Sequence, residues 1–311
     1  MIYFIYGEDS YRSKRKLEEI VSGYKKVHKS GLNLIYINAK EKDFKDFNSG
    51  LKINSMFDEK KLIVLDNIFE DEKFQKDFLD NIENLKDIKD IVIIYEEGVP
   101  DKRTKFFKSL QKHAKCQDFD YLAPAMLKRW VTQEFENHGA KVDPAAIQIL
   151  IDFVGNDLWR MSNEVNKLSN YKMGSTVKKE DVELLIRPNI ENDIFKTIDA
   201  LVSKNKSQAL SLLHKHLENG DNALYLLSMI SYQFRNLLVI RELQDMQQPY
   251  GYVMKKSGLH PFVAQKSYYL SQQFSMLKLK KIYQKIFQID SDIKTGKIEP
   301  ETALDLLLVE I

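Results

Sequence analysis

Along the first 120 residues, short continuous apolar runs alternate with amphipathic stretches. Ile2–Tyr6 reads as a buried strand closed by Gly7. Leu17, Ile20, Val21 and Tyr24 then repeat at helical spacing. Residues 33–37, 61–65 and 90–95 read as three further strands, and 116–120 as a short fifth. Helical segments are predicted between them, among them 72–85 and 102–112; Phe74, Phe78, Ile82 and Leu85 share one face of the first. Strands that alternate with helices and read as continuous apolar runs predict a parallel sheet covered on both faces.

After residue 123 the pattern changes, and no strand is predicted. Pro124 suits a first helical turn ahead of an amphipathic stretch at 125–138, with Gly139 as its stop. Asp143 is the expected N-cap of a helix running to Val154, with Gly155 beyond it. Leu158, Met161, Val165 and Leu168 mark one face of a helix over 158–171, and 179–186 closes a small helical domain. Arg187-Pro188-Asn189 reads as a hinge. Seven helices are predicted beyond it, at 193–202, 206–219, 223–244, 249–258, 261–273, Met276–Lys294 and Pro300–Glu310. Gly220, Gly258 and Gly296 stand where helices should stop. The expected fold class is α/β plus all-α, with domains at 1–123, 124–188 and 189–311.

Composition narrows the function. Forty-seven basic and 45 acidic residues leave a formal net charge of +2, far from that of a protein that coats DNA. Any nucleic-acid contact should be local or shared with partners. The single cysteine, Cys116, excludes an internal disulfide and a cysteine-based metal site, and suits a reducing cytoplasm. The apolar start is too short for a signal peptide and lacks a basic leader. No apolar run is expected to span a bilayer.

The chemistry of an enzyme is hard to find. A phosphate loop would follow the first strand, where backbone N–H groups and a lysine would surround the phosphates. The residues there are Gly7-Glu8-Asp9-Ser10-Tyr11-Arg12-Ser13-Lys14, without the second glycine or the Lys-Ser/Thr pair. Asp66, at the end of the third strand, has the place of a magnesium ligand but no phosphate loop to serve, since the ion arrives on the nucleotide. It reads as an acid near solvent. His214 and His216 differ by two positions, so they face different sides of a helix; they read as two partly exposed histidines. Glu96-Glu97 reads as an exposed acidic pair in a loop, and Cys116 as structural despite His113 nearby.

Several stretches resemble the delta family of bacterial clamp loaders. They are Phe4-Ile5-Tyr6-Gly7-Glu8-Asp9 with Tyr11, Ser55-Met56-Phe57 leading into residues 58–65, and Gly155-Asn156-Asp157-Leu158 with Glu164, Lys167 and Leu168. Further along come Ile194-Phe195, Asp199-Ala200-Leu201, Gln233-Phe234-Arg235-Asn236, His260-Pro261-Phe262-Val263 and the stretch from Asp290 to Gly296. Each match is weak alone; their order and spacing cover nearly the whole chain.

The resemblance implies a degenerate AAA+ domain without the phosphate loop, a helical lid and a C-terminal helical collar. It implies no cofactor, no metal and no intrinsic activity, within an assembly that has DNA-directed DNA polymerase activity in the cytoplasmic, nucleoid-associated replisome. The implied partners are the beta sliding clamp, the gamma/tau and delta prime subunits through the collar, and primed DNA; no membrane is implied. It assigns Met56 and Phe57 to clamp binding, with Leu51 and Ile53 beside them. Many relatives carry Leu where this chain has Met56; unbranched methionine fits a leucine pocket with modest loss.

The residues themselves leave Met56-Phe57 open between an exposed anchor and a core corner. Arg12, Lys14 and Arg15 form a basic cluster, a candidate contact for DNA phosphate that also reads as a solvated helix face. Phe195, Ile198, Leu224, Leu227, Ile230, Phe234 and Leu237 give the collar more apolar surface than a lone bundle needs. Most of them should be internal core, and the surplus should meet other subunits. The alternatives are an active AAA+ ATPase, a helical adaptor outside replication and an independent DNA-binding protein.

Overall fold

The computed structural model describes residues 1–28, 32–52, 60–86 and 88–311. The chain divides into two compact units, Met1–Tyr121 and Leu122–Ile311.

The first unit is built on a five-stranded, fully parallel sheet: β1 (Ile2–Tyr6), β2 (Leu34–Asn38), β3 (Leu62–Asp66), β4 (Ile91–Tyr95) and β5 (Lys115–Asp118). The strand order is β2-β3-β4-β1-β5. Side chains alternate across the sheet, so each apolar run serves two cores. Ile5, Leu62, Val64, Ile93 and Tyr95 meet Leu17, Val21 and Tyr24 of α1 (Ser10–Val27). Phe4, Ile63, Leu65, Val92 and Ile94 meet the opposite layer of α2 (Phe44–Lys52), α3 (Glu72–Asp80), α4 (Ile82–Lys86) and α5 (Lys105–His113). That layer is rich in phenylalanine, and Phe78 meets the Phe106 ring edge-on at 5.8 Å. Asp71 and Thr104 cap α3 and α5 by accepting from the N–H groups of Phe74 and Phe107.

One helix expected over 72–85 is two. Asn81 ends α3, its amide donating to the Asp77 carbonyl at 2.8 Å, and α4 starts anew. The fifth strand is an exposed edge, one residue earlier in its start and two earlier in its end than expected.

The second unit is helical, and its only pairing between extended residues, among those described, is a parallel bridge from Val142 to Val177. It opens with α6 (Pro124–Asn137), α7 (Pro144–Val154), α8 (Leu158–Lys172) and α9 (Lys179–Leu185). Leu127, Val131, Leu150, Met161, Val165 and Leu168 are buried there. Asp143 precedes α7 as expected, but its side chain makes no capping bond. Its own N–H donates to Val177 instead.

Then come α10 (Ile190–Val202), α11 (Lys206–Glu218), α12 (Ala223–Asp245), α13 (Tyr250–Lys256), α14 (Pro261–Ser271), α15 (Met276–Lys294) and α16 (Pro300–Glu310). α12 is the axis of this part: Leu226, Leu227, Ile230, Phe234 and Leu237 lie in one core with residues of α10, α11, α14, α15 and α16. By length and mean composition alone α12 is long and apolar enough to cross a membrane, although polar residues interrupt it. Its buried Gln233 and Asn236 and its place in this core are those of a central bundle helix.

Candidate functional site

The turn after β1 is where a phosphate would be held, and the chain fills it with its own groups. Gly7 has φ +139°, and a Cβ there would lie 2.4 Å from the Phe119 carbonyl oxygen. Only glycine tolerates both the angle and the approach. The Gly7 N–H donates to Gly98 at 2.9 Å and the Asp9 N–H to Phe119 at 2.9 Å. Asp9 is buried, and its carboxylate accepts from the Arg12 N–H at 2.9 Å, which caps α1. Burial pushes the Asp9 carboxyl up, and Arg12 opposes that. A helix N-terminus attracts anions; here the anion is a side chain of the same chain.

The basic cluster next to this turn is largely engaged within the fold. Arg12 bonds Asp9 at 3.2 Å and the Asp120 carbonyl at 3.0 Å, and lies over the Phe119 ring. Arg15 donates to the Tyr11 hydroxyl at 2.9 Å, and the Lys14 ammonium sits 5.2 Å from the Tyr95 ring centre.

The ends of β3 and β4 carry Asp66 and Glu96. Asp66 is half-buried, and burial raises its pKa. Glu96 is 6% exposed, which corrects the expectation of an exposed pair; Glu97 alone faces solvent. The Glu96 carboxylate accepts from the Phe69 N–H at 3.0 Å, at a short turn over Ile68–Glu70. Burial, with Asp66 and Glu70 nearby, pushes its pKa up to about 7. Among the described residues, no three His, Cys, Asp or Glu side chains are grouped to hold a metal ion.

Cys116 lies on exposed β5, its thiol 3.6 Å from the Leu110 carbonyl oxygen. Burial pushes the thiol pKa up, the opposite of an activated nucleophile.

Met56, Phe57 and Ile53 lie outside the described residues. Leu51, Lys60 and Lys61 flank them in the chain. Leu51, near the end of α2, is partly buried against the phenylalanine-rich core. Lys61, at the head of β3, is 6% exposed. Its ammonium donates to the carbonyl oxygens of Gly50, at 3.0 Å, and Leu51. Its backbone N–H donates to Asp90 at 2.9 Å, and the Tyr24 hydroxyl donates to the Lys60 carbonyl at 2.6 Å. The hydrogen bonds of Lys61, Asp90 and the Tyr24 hydroxyl were not foreseen in the sequence, although Tyr24 itself was placed on the apolar face of its helix. The one signal was a lysine at the head of an apolar strand, where a side chain should be buried.

In the second unit His216 is buried, not partly exposed as expected, while His214 is half-exposed and 3.0 Å from Asp305. His216 Nδ1 is 2.7 Å from Asp221, and Nε2 is 3.3 Å from Asp193. Hydrogen bonding to Asp193 raises the His216 pKa, burial opposes this, and Asp221 adds to the rise. Residues 187–189 are held on two sides: Arg160 donates to the Arg187 carbonyl at 2.6 Å, and the Asn189 N–H to Phe153 at 2.6 Å. Of the seven apolar residues singled out after residue 189, all but Leu224 are internal core; Leu224 is 42% exposed.

Family comparison agrees with this arrangement. Residues 3–119 match the model described as DNA polymerase III, delta subunit, and residues 191–311 match its C-terminal domain. DNA polymerase III subunit delta of Bacillus subtilis is 21% identical over all of this chain and 92% of its own length. The probable subunit delta of Aquifex aeolicus is also 21% identical, over 83% of this chain and 75% of its own. Among solved structures, the Bacillus subtilis DNA clamp loader delta protein superposes with a TM-score of 0.76, at 20% identity, over 99% of this chain and 94% of its own. The shared fold is a helix-rich chain with a small parallel sheet. With a turn that caps itself, a parallel α/β unit and a helical C-terminal bundle, the chain belongs to the DNA polymerase III delta subunit family.

Proposed function

We propose that this delta subunit is a non-hydrolysing arm that binds the sliding clamp through Met56 and Phe57 and favours its open form. The observation that carries the reading is the filled turn after β1: the N-terminus that would face a nucleotide is capped by Asp9. Without nucleotide chemistry of its own, the chain acts by binding. A binder shifts a ring toward opening only by holding the open form more tightly. ATP binding elsewhere in the loader exposes the clamp-binding surface, and hydrolysis withdraws it.

In this reading residues 1–123 grip the clamp, 124–188 form the lid and 189–311 form the collar that meets the gamma/tau and delta prime subunits. Primed DNA is met within the assembled loader, in the cytoplasm. Arg12, Lys14 and Arg15 remain the candidate DNA contacts, with Arg12 the most engaged inside the fold.

Burial of methionine and phenylalanine side chains is worth about 1.5–3 kcal/mol each. Changing Met56 and Phe57 together to alanine should therefore weaken binding of the full chain to its cognate clamp by about 100-fold or more, with circular dichroism unchanged. An unaltered Kd overturns the assignment. Titration of the purified chain with ATP should show no binding at the turn after β1; saturable binding there would revive an active ATPase.

A further inference from the structure

We infer that one face of α14, with the tyrosines beside it, is a track for single-stranded DNA; the inference rests on the reading that DNA is met within the assembled loader and says where. Charge points there first. Residues 246–289 carry seven lysines and no arginine, aspartate or glutamate. The whole chain is +2, so everything outside this stretch sums to −5. A basic region within an otherwise acidic chain is the electrostatic footprint of a polyanionic partner. Five tyrosines are interleaved with those lysines. Lysine attracts phosphate, and an aromatic face stacks on an unpaired base of any sequence.

The fold gathers these groups. Phe262, Lys266 and Tyr269 recur at spacings of four and three, so they share one face of α14. The Lys266 ammonium lies 4.3 Å from the Phe262 ring centre and 5.6 Å from that of Phe195 of α10, which holds the cation in place. Tyr269 is 57% exposed. Its ring meets Tyr268 edge-on at 5.7 Å, and Tyr268 meets Tyr250 of α13 at 4.9 Å. A ring already held by its neighbours loses little freedom when a base stacks on it. Beside Tyr269, Lys196, Lys266 and Gln273 line an open hollow of about 310 Å³. Asp199 also lines it, its charge offset by Lys266. Lys285 is taken up by Glu310, while Lys255, Lys256, Lys278, Lys280 and Lys281 are exposed on α13 and α15. A duplex hides the faces of its bases, and an acidic protein would have to bring its own apolar side chains to Tyr269. A single strand supplies phosphate and a flat π face at every nucleotide, matching the alternation of lysine and tyrosine.

Fluorescence anisotropy of labelled oligo-dT with the full chain at low salt tests the track. Tyr269→Ala should raise Kd about tenfold, the worth of one stacked base, with circular dichroism unchanged. Tyr269→Phe, which keeps the ring, should bind like the parent. Lys266→Gln should reduce the slope of log affinity against log salt by about 0.7, the share of one phosphate contact. A Kd unmoved by Y269A, a Phe variant as weak as the Ala variant, or no saturable binding of oligo-dT by the parent each overturn the inference. So does a duplex of equal length bound as tightly as the single strand. If Y269A and K266Q leave oligo-dT binding intact but keep the chain from joining its loader, the surface serves an acidic protein instead, and the inference is again overturned. The assembled loader keeps two failures apart. Primed DNA bound there equally with and without Y269A sinks the track alone, whereas an assembled loader that binds no primed DNA sinks the underlying reading.

Discussion

Replacing Glu96 with glutamine should stabilise the α/β unit at neutral and higher pH, and hardly at all below pH 5. The carboxyl is 6% exposed, and its pKa stands at about 7 against an ordinary 4.5. Burial is the main cause; the N–H groups of Phe69 and Ile68 pull it down but do not prevail. Below 4.5 both folded and unfolded chains carry the protonated acid. Between 4.5 and about 7 the unfolded chain ionises while the folded one keeps its proton, so stability falls as pH rises. At about 1.4 kcal/mol per pH unit, the loss reaches on the order of 3 kcal/mol above pH 7.

Glutamine carries no charge and retains an oxygen for the Phe69 N–H, so it should escape this loss. The gain should appear as roughly hundredfold greater hydrogen-exchange protection of Ile93 and Ile94 amides in the Gln variant at pH 8. These residues lie fully buried in β4, at the middle of the sheet. Near pH 5 the two proteins should differ by less than about tenfold. Equal protection across pH 5 to 8 would refute the claim that the folded protein confines a charge at this position.

Two other perturbations test the rest of the fold. His216→Gln should cost about 3 kcal/mol at pH 6 through loss of a buried pair, read by Trp130 and Trp159 fluorescence during urea unfolding. The cost should shrink as pH rises through the elevated His216 pKa, because the imidazolium contribution is complete below 6.5 and lost above its folded value; a pH-independent cost would contradict the pairing. Gly7→Ala should destabilise the α/β unit by more than about 3 kcal/mol, since its Cβ would meet the Phe119 backbone at 2.4 Å. A melting temperature within a degree or two of the parent's would show that the turn can relax.

The strands were legible because parallel strands buried on both faces leave continuous apolar runs, as in Ile91–Tyr95. The last two helices were legible to the residue because their ends are chemically marked. Ser275 caps one, Gly296 follows it with φ +71°, and Pro300 opens the next. The break at Asn81 was invisible because Phe74, Phe78, Ile82 and Leu85 stay in helical phase across it. Glu96 and His216 were misjudged for a different reason. The N–H that Glu96 accepts comes from 27 residues earlier, and Asp193 lies 23 positions before His216. No local pattern encodes a partner at that distance. Lys61 belongs to the same class, since its value lies in carbonyls ten and eleven positions upstream.

The self-capped turn after β1 also bears on reversibility. A P-loop could not be regained by inserting one lysine, since Asp9 would repel the phosphate, Gly98 and Phe119 hold the N–H groups, and Phe119 crowds Gly7. Several coordinated changes would be required, each of them harmful to the fold before the others arrive. Under the proposed reading, such a subunit takes its timing from its neighbours and has no short mutational path back to keeping its own.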